Sequence, residues 1–126
     1  LVVDARSVAA APAASLPPGV EPRDLDDHGA LLNAYREAHV CVLASHGEAF
    51  GLVLVEALAC GTPAVASGDA AGPEITPFTF AGDDELPRVI LEAATATPQE
   101  CRRLAERFSL DRCLDAHEAL YREAMR

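Results

Sequence analysis

The chain is expected to fold as an α/β domain, a parallel sheet with helices on both faces, closed by a helical C-terminal tail. Three observations predict this. Short β-like runs at residues 1–3, 20–25, 40–44, 64–66 and 78–80 alternate with helical patterns at 28–38 and 50–60, and such alternation builds crossover units. The run Val40-Cys41-Val42-Leu43-Ala44 is apolar at every position, as a central parallel strand covered on both faces must be. Beyond Asp83 the pattern turns wholly helical.

The elements follow in order. Leu1-Val2-Val3 reads as a strand already under way, so the chain is expected to begin inside a larger protein. Residues 9–18 are rich in Ala and Pro and fit either a short frayed helix or a loop. The helix at 50–60 stops at Gly61-Thr62-Pro63, with Gly past its end and Pro forbidding continuation. Leu86, Val89, Ile90 and Ala93 recur at helical spacing behind a cap at Asp83 or Asp84. Thr97-Pro98-Gln99-Glu100 is a capping box with Pro at the first helical position. Its helix carries the stripe Cys101, Leu104, Ala105 and Phe108. Ser109 caps a last helix whose apolar face runs through Leu110, Cys113, Leu114, His117, Leu120, Tyr121 and Ala124. That register makes His117 a core histidine rather than a ligand.

Composition narrows the function. With 126 residues, half of them hydrophobic, the chain makes one soluble globular domain at most. No apolar run nears the ~18 residues of a membrane span, and residues 1–14 lack the basic start and apolar core of a signal peptide. Net charge is −10, and all of the excess lies in the first 97 residues, where four Arg face fourteen acids. Such a surface repels nucleic acid and anionic lipid. Cys41, Cys60, Cys101 and Cys113 form no C-x-x-C pair, so no zinc or other metal site is expected. They read as small buried hydrophobes in a reducing, cytoplasmic compartment.

One stretch carries chemistry. In Glu48-Ala49-Phe50-Gly51-Leu52-Val53-Leu54-Val55-Glu56, the second carboxylate sits in an otherwise apolar run. A buried ionised Glu is costly unless it serves a polar group; a pair of vicinal hydroxyls, the ribose of a nucleotide sugar, fits that role. The strand at 40–44 leads through Ser45-His46-Gly47-Glu48 into a helix start at Phe50 or Gly51, where ligands of parallel α/β sheets bind. The free amides of Gly51, Leu52 and Val53 suit a phosphate or a sugar oxygen; His46 adds a cation only when protonated, and a loop histidine at neutral pH is usually solvated and uncharged. Glu56 lies on the face of Leu52, about 6 Å along the axis. On the residues alone, an ordinary loop acid at Glu48 and a solvent-facing Glu56 remain an equal alternative.

The residues Leu32-Asn33-Ala34-Tyr35-Arg36-Glu37-Ala38-His39-Val40, Ser45, Glu48-x7-Glu56, Ala57-Leu58-Ala59-Cys60-Gly61-Thr62-Pro63 and Val65-Ala66-Ser67 resemble the C-terminal domain of family-4 (group 1) retaining glycosyltransferases. These have the GT-B fold, two Rossmann-like domains across a cleft, and the resemblance covers about residues 28 to 126. It implies a single partial domain over 1–126, the nucleotide-sugar donor-binding half, with 98–126 as closing helices. It implies transfer of a sugar, in hexosyltransferase fashion and with retention, from a nucleotide-diphosphate sugar to an acceptor, without an essential metal or a cofactor. Glu48 would be the catalytic-site glutamate, acting as a positioning and electrostatic group. Phe50, Gly51 and Leu52 would meet the sugar and diphosphate, and Glu56 the ribose.

Two departures stand out. Ala71-Gly72-Pro73-Glu74 is one residue shorter than the family's paired-glycine loop, and Pro77-Phe78-Thr79-Phe80 follows at once, so no contact is carried over to Glu74. The family's diphosphate-binding Arg and Lys and its N-terminal domain are not in these residues, so the chain by itself is expected to be inactive. A non-catalytic nucleotide-binding or interaction module of the same fold is the alternative, and an acidic helical interaction domain a third.

Overall fold

A computed structural model describes residues 2–4, 16–45, 47–69 and 72–126. The chain divides into two compact units, residues 1–37 and 38–126. In the first, β1 (Val2–Asp4) and β2 (Glu21–Arg23) pair in parallel, Val2 opposite Glu21. Helix α1 (His28–Glu37) follows, its first turn capped by Asp27, whose Oδ2 accepts the Ala30 N–H at 2.9 Å. Residues 9–15 of the Ala/Pro-rich segment lie outside the described residues, and 16–20 form a bend and turn.

The second unit carries the site. Its strands β3 (Cys41–Leu43), β4 (Ala64–Ser67) and β5 (Thr79–Phe80) form a parallel sheet in the order β3-β4-β5. Helix α2 (Leu52–Ala59) connects β3 to β4 and the single turn α3 (Gly72–Ile75) connects β4 to β5. Helices α4 (Leu86–Ala93), α5 (Pro98–Ala105) and α6 (Leu110–Ala124) follow, with a 3₁₀ turn, Glu106–Phe108, between the last two. The alternating α/β reading holds, and its element positions agree to within a residue or two.

All four residues of β4 are buried. Strand alternation sends them to opposite faces. Ala64 and Ala66 join Leu54, Leu58, Ile75, Cys101 and Ala105 under α2 and α5, whereas Val65 joins Phe80, Val89 and Ala93 under α4. Two methyl-sized side chains on one face let α2 pack close to the strand. The end of α2 is closed by paired bonds, Gly61 N–H to Leu58 O and Thr62 N–H to Ala57 O, both 2.9 Å, the Schellman arrangement that the Gly-Thr-Pro stop implies. Thr76, also buried, ties α3 to the sheet: its hydroxyl donates to Ala64 O at 2.7 Å.

Four expectations are corrected. Strand β3 is not central: among the described residues it pairs only with β4, and Val42 is 37% exposed. An all-apolar run shows that a strand can be covered, not what covers it. The start of α4 is not capped by an Asp side chain. Residues 82–85 already form a turn in which Asp83 offers its backbone carbonyl to the Leu86 N–H (3.3 Å), while the Glu85 carboxylate accepts from Ala81 N–H (2.8 Å). Every residue of α6 is exposed, so its apolar stripe is not core and His117 is not a core histidine. The His117 ring instead meets the helix's own backbone, with Nδ1 2.7 Å from Cys113 O. Cys113 is likewise exposed, whereas Cys101 is buried and Cys41 and Cys60 are half-buried. Among the described residues no helix is long and apolar enough to cross a membrane.

The Thr97 capping box is formed as expected, with Glu100 N–H donating to Thr97 Oγ1 (3.3 Å) and Thr97 N–H to Glu100 Oε2 (2.7 Å). The bond from the Thr97 backbone, then that from its hydroxyl, holds the Glu100 carboxyl below the ordinary carboxylate range. A carboxyl depressed in the folded state stabilises it above the unfolded pKa, and that support fades as pH falls through the folded value. Thr97→Ala is expected to cost about 1 kcal/mol in chemical denaturation at pH 7, with a smaller difference between variant and parent at pH 3.

Candidate functional site

Because β3 and β4 run parallel, the loops leaving Leu43 and Ser67 lie side by side, the position where such sheets take ligands. A shallow, open crevice lies there. One lip, the β3–α2 segment, supplies Leu43, Ser45, Glu48, Phe50 and Leu54; the other, from β4 to α3, supplies Ala66, Ser67, Asp69 and Gly72. The Ser67 hydroxyl donates to Ser45 O at 2.8 Å and ties the two lips at their base. The enclosed space of the crevice, about 10 Å³, is room for about one water, so a ligand would lie across its mouth rather than inside it.

The first lip is shaped by Gly51. It is the N-cap of α2 in left-handed geometry, φ +84° and ψ 54°, which a side chain would strain. A Cβ there would lie 3.2 Å from Leu54 Cδ1, 3.3 Å from Leu43 Cδ2 and 3.6 Å from Glu48 Cγ. The tight contacts are to Leu54 and Leu43, while Glu48, half-buried beside the helix start, would be at ordinary contact distance. Phe50 is on the rim, 38% exposed, and Leu52 opens the helix at 63% exposed. On the second lip, Gly72 sits so close to the end of β4 that a Cβ would lie 2.5 Å from Ser67 O. His46 lies outside the described residues.

Glu56 is placed differently from the reasoning that singled it out. It is exposed on α2 and does not line the crevice, so burial among apolar neighbours is not what gives it meaning. The α2 stretch is apolar over more than its buried face: Leu54, Ala57 and Leu58 point inward, while Leu52, Val53 and Glu56 point out. Its charge is nevertheless felt by the sheet. Burial, then the Glu56 carboxylate, pushes the Cys41 thiol up to about 11.

Asp69 and Gly72 were not picked out as lining residues by sequence reasoning. The available signal was position: Asp69 follows Ser67-Gly68 at the end of the second strand, as Glu48 follows the first. The described lining therefore holds two carboxylates and no basic side chain. Such a lining accepts hydrogen bonds from hydroxyls and repels phosphate oxygens.

A parallel α/β sheet with this crevice and a glycine-led helix start is a Rossmann-like ligand-binding arrangement. Residues 24–76 match the family Glycosyl transferases group 1, and that segment contains every residue of the crevice lining. The chain is 41% identical over 108 residues to a D-inositol 3-phosphate glycosyltransferase of Saccharomonospora viridis, covering 75% of this chain and 25% of the relative. It is 36% identical over 104 residues to the protein of that name from Geodermatophilus obscurus, covering 75% and 23%. A third, from Thermobifida fusca, is 60% identical over 37 residues, 29% of this chain and 8% of the relative. The chain thus spans about a quarter of the length of the first two relatives. No solved structure matches it at a significant level.

Two outcomes are expected from this geometry. Gly51→Ala should lower stability by about 1–2 kcal/mol from backbone strain, read as a shifted denaturation midpoint. Cys41 should resist thiol reagents in the folded state while exposed Cys113 reacts. A thiol pKa raised on folding stabilises the native state below the unfolded value near 9, and that support is lost as pH rises toward about 11. Labelling followed by peptide mass spectrometry across pH 7–10 reads this order.

Proposed function

We propose that this chain is the donor-binding part of a group 1 retaining glycosyltransferase of the GT-B type, contributing to transfer of a sugar from a nucleotide-diphosphate sugar. The observation that carries the reading is the crevice at the carboxyl ends of β3 and β4, lined by Glu48 and Asp69 and lying wholly in the family-related segment. The sugar ring lies across the mouth of the crevice, where its hydroxyls can donate to those carboxylates. The diphosphate lies outside, toward the amides of Gly51 and Leu52 at the start of α2, whose dipole supplies about half a positive charge. The rest of the neutralising charge comes from outside these residues, in keeping with a missing half-domain and a separate N-terminal domain that holds the acceptor.

Glu56 then meets the ribose from the outer face of α2. A half-solvated carboxylate accepting from two hydroxyls needs no burial. Glu48, at the sugar, acts as a positioning and electrostatic group. The relatives' name suggests a phosphorylated inositol as acceptor. Its phosphate would face two carboxylates in the described crevice lining, which supports an acceptor site elsewhere.

Calorimetry of the full-length protein with UDP-, GDP- and ADP-sugars tests the reading. One of these should bind, and Glu56→Ala should weaken it about tenfold or more, the loss of charge-assisted hydrogen bonds. Unchanged affinity in that variant rejects the ribose role. Glu48→Gln should lower kcat with a smaller effect on donor KM, and NMR of the product's anomeric proton should show retention. A full-length protein that binds a sugar nucleotide but transfers nothing to any acceptor would make it the non-catalytic module of the same fold.

A further inference from the structure

We infer that Arg107 and Phe108 form a positioning clamp that sets the two lips of the crevice relative to one another. Both belong to the 3₁₀ turn Glu106–Phe108 between α5 and α6, and neither lines the crevice. Adjacent residues of a 3₁₀ turn point about 120° apart, so one turn can reach two elements. Phe108 reaches the first lip: its ring meets that of Phe50 edge-on, with centroids 5.6 Å apart and planes at 75°. Arg107 reaches the second: its Nη2 donates to Glu74 O and, at 3.4 Å, to Ile75 O, the last carbonyls of α3.

The pieces joined in this way are those least able to hold themselves. Helix α3 is a single turn, far below the length at which a helix stands alone, and its terminal carbonyls need outside donors. Phe50 stands on the rim of a loop. By contrast, Phe108 is anchored, half-buried against the cluster formed by Leu54, Leu58 and Ile75. The Arg107 guanidinium carbon lies 5.3 Å from the Phe108 ring centroid, so the two arms also brace each other. The clamp fixes Glu48 and Phe50 against Asp69 and Gly72 without touching a ligand. Its effect on donor binding rests on the reading given above, whereas its mechanical action does not.

The test uses the full-length protein in two arms. In ligand-free hydrogen exchange, Phe108→Leu, which keeps an apolar side chain in the cluster, should speed exchange in peptides covering 47–52. Arg107→Lys should speed it in peptides covering 72–76, with β4 unchanged in both. Phe108→Tyr, which keeps the ring edge, should restore the parent pattern. In the second arm, both weakening variants should raise donor KM about three- to tenfold with acceptor KM unchanged. Unaltered lip exchange, or acceleration spread evenly over β4 and α5, overturns the clamp and leaves only a packing role. If the parent protein binds no UDP-, GDP- or ADP-sugar, the donor reading fails, and the exchange pattern still decides the clamp.

Discussion

The complete burial of β4 is the constraint on which the second unit depends. Its alternation divides the interior into two clusters, one under α2 and α5 and the other under α4. Ala64 and Ala66 leave room for α2 to lie close to the strand, which in turn fixes where the helix begins. A larger residue at either alanine would overpack that face and push the start of α2, with Gly51 and Glu48, away from the carboxyl end of β4. The crevice is therefore a consequence of how thin the layer beneath it is. The Ser67 hydroxyl on Ser45 O closes its floor only because the strands above are already in register.

Much of this was legible in the chain itself. The alternation of apolar runs and helical spacing located every strand of the second unit and all its helices but the single turn α3, because each signal is local: a period, a Gly-Thr-Pro stop, a Thr-Pro-x-Glu box. The misreadings share a cause. Periodicity reports that a face is apolar, not whether anything covers it, so β3 was expected to be central and α6 was expected to be core. Glu56 failed the same way: an acid in an apolar run was taken as buried, although α2 turns one apolar edge outward with it. Glu48, Phe50 and Gly51 are legible as neighbours because one loop carries them. Asp69 faces Glu48 only through the pairing of β3 with β4, and Arg107 meets α3 from thirty-three residues away; neither relation leaves a local trace.

The electrostatics of the site separate the roles of its parts. Glu48 and Asp69 give the crevice acceptors and negative charge, while the helix start beside it offers donors and a weak positive field. Polyol and phosphate chemistry are thus sorted onto neighbouring surfaces rather than mixed. On the donor reading, that sorting favours one orientation of a ligand that carries both groups.

The acidic lining has a kinetic consequence as well. On the donor reading, Glu48 and Asp69 hold the substrate through the hydroxyls of its transferable ring, which mask two like charges from the anion beside them. Once that ring departs, the screening goes with it, and the two bare carboxylates repel the spent nucleoside diphosphate that lies beside them at the start of α2. On that reading, the loss of screening loosens the hold on the leaving group and favours its release.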